Sequence, residues 1–133
     1  MSAEEVRDFL RARGCPEPVA NAGLAGLIED WERIAEEIVT GYAVGLDDYL
    51  NDMDVRELIA AAIAAVPKVL PPALRRKLEA ADQRARSALV PAARCLWGPR
   101  LAAANAWDAQ GHWWYFMKPA RPGDELKRDL QGG

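Results

Sequence analysis

The sequence predicts an all-α protein: a single compact bundle of five or six helices, with a short extended aromatic segment near the C-terminus. Three observations carry that prediction. Alanine occurs 25 times and leucine 14 times, whereas serine and threonine together occur only three times, as Ser2, Thr40 and Ser87. Alanine and leucine favour helix, and the strand-favouring β-branched threonine is nearly absent. Apolar residues recur at three- and four-residue steps over most of the chain. Glycine and proline fall between those periodic runs and punctuate them. A length of 133 residues suits one domain, residues 1–133, and a chain of this size buries roughly two thirds of its unfolded surface.

A first helix is expected from Ala3 to Ala12, with Val6, Phe9 and Leu10 inward and a capping box formed by Ser2 and Glu5. Gly14 and Cys15-Pro16-Glu17-Pro18 stop it. The second helix has the strongest period: Leu24, Leu27, Ile28, Trp31, Ile34, Ala35, Ile38 and Tyr42 form one stripe. Acidic residues from Glu29 to Glu37 lie between them, and Gly41 and Gly45 mark its end. The acidic stretch Leu46 to Asp54 reads as a turn of helix and a tight connection. Asp54 and Glu57 then cap a third helix with its stripe on Val55, Leu58, Ile59, Ala62, Ile63 and Val66, ended by Pro67.

Pro71 and Pro72 suit the start of a fourth helix. Its period, from Leu74 and Leu78 to Ala92 and Leu96, continues past Pro91 to Trp97, which predicts a kink at that proline. Gly98-Pro99 is a firm stop, and a fifth helix covers Arg100 to Ala109. His112 to Lys118 (HWWYFMK) breaks the helical style. Strand-like alternation there puts Trp114 and Phe116 on the bundle, and Trp113 and Tyr115 on the opposite, partner-facing side. A last short helix spans Pro122 to Leu130, before a frayed Gly132-Gly133 tail.

The formal net charge of −3 is a cancellation. Residues 1–60 hold 14 acidic and 5 basic side chains, a balance of −9; residues 61–133 hold 6 and 12, a balance of +6. Either the two halves neutralise each other inside the domain, or each shows its charge to a partner. The acidic, non-apolar N-terminus MSAEEVRDFL is no secretion signal, and no uncharged run approaches the roughly 20 residues of a membrane span. A cytoplasmic protein without membrane contact is expected. Two unpaired cysteines, Cys15 and Cys95, form neither a disulfide framework nor a zinc site.

The densest polar feature is Asp47, Asp48, Asn51, Asp52, Asp54 and Glu57, interleaved with Tyr42, Tyr49 and Met53. A calcium loop needs glycine at its sixth position. Counting from Asp48 or Asp52, that position holds Met53 or Glu57. No glycine-rich phosphate loop is present, so no cofactor is expected. Helix capping accounts for part of the cluster. Carboxylates beside tyrosines also make a surface that binds a basic protein. The expected contact residues are Tyr42, Asp47, Asp48, Tyr49, Asp52 and Asp54, with Trp113 and Tyr115.

A small acidic helical chain with this Tyr/Asp-rich segment resembles bacterial immunity proteins that neutralise toxins. The stretch Gly41 to Ile59 (GYAVGLDDYLNDMDVRELI), together with Trp113-Trp114-Tyr115, also resembles small uncharacterised bacterial proteins in style. No family motif matches residue by residue, so the resemblance assigns no role to any side chain. It implies a non-enzymatic binding protein, an inhibitor of immunity or antitoxin type whose partner is a toxin; a homo-oligomer is compatible with it.

Two alternatives use other residues. A small metal-dependent hydrolase would use the carboxylates from Asp47 to Glu57. A nucleic-acid-associated regulator would use Arg75, Arg76, Lys77, Arg84, Arg86, Arg94 and Arg100. A sequence pI near 5.2 and the scatter of those cations around the helix argue against nucleic acid. A Cys95–His112–Asp108 triad lacks any flanking nucleophile motif and is set aside.

Overall fold

A computed structural model describes residues 2–66 and 70–132. Six α-helices lie among them: α1 (Ser2–Ala12), α2 (Glu17–Thr40), α3 (Leu46–Ala65), α4 (Pro72–Ser87), α5 (Pro99–Asn105) and α6 (Asp124–Gly132). Two three-residue strands, β1 (Leu89–Pro91) and β2 (Met117–Pro119), pair antiparallel, with Val90 opposite Lys118. A 3-10 turn at Trp113–Tyr115 precedes β2. The all-α prediction holds, with that small sheet as an addition.

The long helix α2 is the centre of the molecule. It packs most extensively on α4, then on α1 and α3. Its stripe from Leu24 to Ile38 is buried as its period requires, with Ile28, Trp31, Ile34 and Ile38 fully enclosed. Each such side chain contributes about 1.5–3 kcal/mol of transfer free energy. The helix starts before Leu24, but Gly23 interrupts it with φ 65° and ψ −156°, a conformation that only glycine adopts without strain. The strong period therefore begins just after that kink.

Three helix boundaries differ from expectation. The stretch Leu46 to Asp54 is not a separate turn; it is the first half of the continuous 20-residue helix α3. No side chain at its N-cap Gly45 caps α3. The acceptor comes from α6: Leu46 N–H donates to Asp129 Oδ2 at 2.9 Å. Asp54 thus sits mid-helix and caps nothing. Nor does the fourth helix kink at Pro91. It ends at Ser87, and the chain turns into β1. A proline disfavours helical backbone at the residue before it. Strand pairing satisfies the amides that the helix would have used. Ala92 N–H donates to Phe116 O and Leu96 N–H to Tyr115 O, each at 2.8 Å. β1 is thus the strand partner for the aromatic segment. The fifth helix is also shorter than expected, ending at Asn105, with Ala106 left-handed at φ 55°. The Pro67 stop, the side chain of Ser2 and the terminal Gly133 lie outside the described residues.

The segment after β2 crosses the start of α3. Gly123 N–H donates to Tyr42 O at 2.6 Å, and a Cβ at Gly123 would stand 2.7 Å from that oxygen, so only glycine allows the approach. Leu126 of α6 is fully buried, which seats that helix over the end of α3 nearest Tyr42. Among the described residues, no helix is long and apolar enough to cross a membrane.

Candidate functional site

The polar residues singled out in the sequence separate into three groups. Asp47 and Asp48 stand exposed in the first turn of α3. Carboxylates there are favoured by the positive end of the helix dipole.

Tyr42 and Tyr49 form the second group, and both are buried. Their rings meet edge to face at 5.1 Å, the geometry that aromatic quadrupoles favour. Tyr42 OH donates to Asp52 Oδ2. Tyr49 OH lies 3.5 Å from Met117 O. Burial first, and then the bond to Asp52, push the Tyr42 phenol up; burial pushes Tyr49 up as well. The Asp52 carboxyl is raised mainly by its own burial, against the opposing bond from Tyr42, with Glu37 and Asp48 raising it further. These tyrosines are core residues and leave the expected contact surface.

Trp113 and Tyr115 leave it too. The expectation that they face away from Trp114 fails because Trp113–Tyr115 is a 3-10 turn and not a strand. Three residues per turn send side chains in three directions, and here all three are buried. Trp113 packs 6.3 Å from Trp31 and takes the Arg86 guanidinium over its ring at 4.9 Å. Phe116 is only partly buried.

The third group is a pocket of about 450 Å³ beside the middle of α3. Asp54 and Glu57, three residues apart on one helix face, form its acidic wall. Trp97, Trp107 and Tyr115 form an aromatic wall, and Arg13, Cys15, Leu58 and Leu101 complete the lining. Tyr115 and Trp107 stack with centroids 4.3 Å apart. Asp54 Oδ1 accepts from Trp97 Nε1 at 3.1 Å and from Tyr115 OH. Burial, then that bond, raises the Tyr115 phenol. Burial raises the Glu57 carboxyl, and His112, Arg13 and Arg56 oppose it. His112 Nε2 stands 3.6 Å from Glu57 Oε1, an ion-pair distance but too long for a hydrogen bond. That oxygen is fully buried and accepts no hydrogen bond.

On the other side of α3 lies a network that the sequence reading missed. Arg56 makes a two-pronged salt bridge with Asp82 of α4, Nε to Oδ1 at 2.8 Å and Nη2 to Oδ2 at 2.9 Å. Trp31 Nε1 donates to the same Oδ1 at 2.8 Å. The Arg56 guanidinium lies over the Trp114 ring, 4.5 Å from its centroid, a cation–π contact beside the nitrogen, Nη1, that finds no acceptor. One signal was available: Arg56 is the only basic residue between Arg33 and Lys68, and it is flanked by Val55, Leu58 and Ile59.

The remaining candidates resolve plainly. Cys95 is buried, and Asp108 Oδ1 accepts the backbone N–H groups of Gln110 and Gly111, so its carboxylate ties a turn. Among the described residues, no group of three His, Cys, Asp or Glu side chains is arranged to hold a metal. Of the basic residues, Arg84 pairs with Glu36 at 2.6 Å, Arg86 covers Trp113, Arg94 lies in the loop after β1, and Arg100 lies on α5. They do not share one face of α4. Between described residues, Arg84–Glu36 is also the one ion pair joining an acid of residues 1–60 to a lysine or arginine of residues 61–133. Arg56–Asp82 joins the halves in the other sense, and acidic α2 packs most extensively on α4. Compared with known proteins, the chain matches no family model, no curated protein and no solved structure.

Proposed function

We propose that this chain is a non-catalytic protein-binding module, an inhibitor of immunity or antitoxin type, that docks a basic protein on an acidic face of α2 and α3. The observation supporting this reading is the exposed acidic charge. Glu29, Asp30, Asp47 and Asp48 are exposed; Arg33 pairs with Asp30 and Glu37, and Asp47 and Asp48 are left to face a partner. Asp47 and Asp48 make no ion pair or hydrogen bond through their side chains with any described residue. Charge of one sign on a face steers a partner of the other sign and selects against wrong ones. Of the residues expected in the contact, Asp47, Asp48 and the partly buried Asp52 stay in the proposal. The buried tyrosines support the surface from beneath.

The test is co-expression with the product of the adjacent reading frame. The expected result is that this frame is toxic alone and that the present chain suppresses the toxicity. Asp47→Lys with Asp48→Lys is expected to abolish suppression, while Arg100→Glu leaves it intact. A non-toxic neighbour, or suppression unchanged in the double lysine variant, overturns the reading.

A further inference from the structure

We propose that the pocket between α3 and the loops around α5 binds a small organic cation, an amine carried on a flat apolar body. This inference does not rest on the protein-binding reading, because it uses a different set of residues from the exposed acidic face.

The pocket, about 450 Å³ and open to solvent, is large enough to admit a small molecule. Its walls combine the two features that recognise an alkylammonium group: aromatic ring faces and carboxylates. Trp97 and Trp107 supply the rings, with the buried Tyr115 packed against Trp107 behind them. The Asp54 and Glu57 carboxylates are unevenly used. Asp54 Oδ1 takes both internal donors, Trp97 Nε1 and Tyr115 OH, and Oδ2 accepts from no described residue. Neither oxygen of Glu57 accepts a hydrogen bond, and only Oε1 is sealed from solvent, so Oε2 is left accessible. Asp54 Oδ2 and Glu57 Oε2 are thus the two acceptors left open, beside the partly buried Trp97 and Trp107 rings.

The charge balance selects the sign of the ligand. Two carboxylates line the pocket against one arginine, Arg13, whose guanidinium lies over the Phe9 ring at 5.4 Å. His112, 3.6 Å from Glu57 Oε1, and Arg56, which is paired with Asp82, are not among the lining residues. A cation therefore completes the site, whereas an anion would meet both carboxylates. Leu58 and Leu101 give the apolar body of the ligand its contact.

The test uses three probes of nearly one shape: benzylamine, benzyl alcohol and benzoate. Binding is followed by calorimetry and by the indole N–H resonances of the full chain. Benzylamine is expected to bind at least about tenfold more tightly than either analogue, a difference of about 1.4 kcal/mol. It should shift the Trp97 and Trp107 indoles and leave that of Trp31 unmoved. Glu57→Gln keeps the shape of the side chain and should weaken benzylamine about tenfold or more, whereas Asp48→Asn on the exposed face should change nothing. Equal affinity for benzyl alcohol overturns the proposal. So does an unchanged affinity in Glu57→Gln, or benzylamine shifting no pocket indole up to millimolar concentration.

Discussion

Arg56 and Glu57 are neighbours on α3, yet their surroundings could hardly differ more. Arg56 ends in a closed set: two bonds to Asp82, a ring face of Trp114, and an indole N–H of Trp31 that ties Asp82 to α2. Glu57 ends beside an open pocket, with His112 at 3.6 Å and no hydrogen bond to either oxygen. A buried charge stays buried when its partners are built in, because an unpaired ion in a low dielectric costs several kcal/mol. The Arg56 side supplies those partners from α4 and the 3-10 turn, with Trp31 of α2 bracing Asp82 and only Nη1 left without an acceptor, and so belongs to the fold. The Glu57 side supplies only some of them, and its carboxyl responds by rising.

The largest effect is expected where the closed set is opened. Asp82→Ala strands the Arg56 charge and the Trp31 donor together, and should cost about 3–5 kcal/mol in urea unfolding. Replacing both charges, Arg56→Met with Asp82→Leu, should recover most of that loss, since an apolar pair of similar volume is often neutral or better. If Asp82→Ala cost no more than a surface substitution, the contrast between the two sides of α3 would collapse.

Next come the phenols that feed single carboxylates. Tyr115→Phe removes one of the two donors to Asp54, and Tyr42→Phe removes the donor to Asp52. Each should cost about 1.5–3 kcal/mol, the range for a hydrogen bond to a charged acceptor, read as a lowered denaturation midpoint.

Glu57→Gln should act in the opposite direction, by less than about 1 kcal/mol. A carboxyl raised in the folded state binds its proton more tightly there than in the unfolded chain. Its contribution is therefore most favourable below the unfolded pKa, near pH 4, and is lost as pH rises through the folded value. The glutamine variant should gain Tm over the parent at pH 7, and the gain should vanish near pH 4. A gain independent of pH would point to packing instead.

The smallest effect belongs to Arg84→Ala. Arg84 and Glu36 are each about half exposed, at 52% and 53%, so solvent screens their pairing, and its small contribution should fade in salt. The hydrogen bond from Arg84 holds the Glu36 carboxyl below its usual value, against a smaller desolvation effect. That contribution is present above the unfolded pKa and disappears as pH falls through the folded one.

Much of the fold was legible in the sequence. The stripe from Leu24 to Ile38, Gly41 at the end of α2 and the Pro71-Pro72 start of α4 encode local preferences, and each stands in the structure; Gly98-Pro99, expected to stop the fourth helix, instead begins α5. Less of the sites was legible. Asp47 and Asp48 were correctly expected at the surface, but Tyr42, Tyr49, Trp113 and Tyr115 were taken for surface and are core. A tyrosine among aspartates looks alike in sequence whether its hydroxyl meets water or a buried carboxylate. Trp97 and Trp107, which wall the pocket, had no periodic partner to give them away.

By itself the sequence determined that the chain is helical, where its helices can begin and stop, and which stripes are apolar, because those properties depend on neighbours three or four residues apart. The tertiary structure alone decided three further things: that the periodic run after Ser87 becomes a strand, that Asp129 caps α3, and that Arg56 meets Asp82 while Asp54 meets Trp97. Each of these pairs a polar group with one 26 to 83 residues away. Periodicity reports which face of a helix turns inward, but which polar groups find one another there is settled only by packing and by the cost of leaving them unpaired.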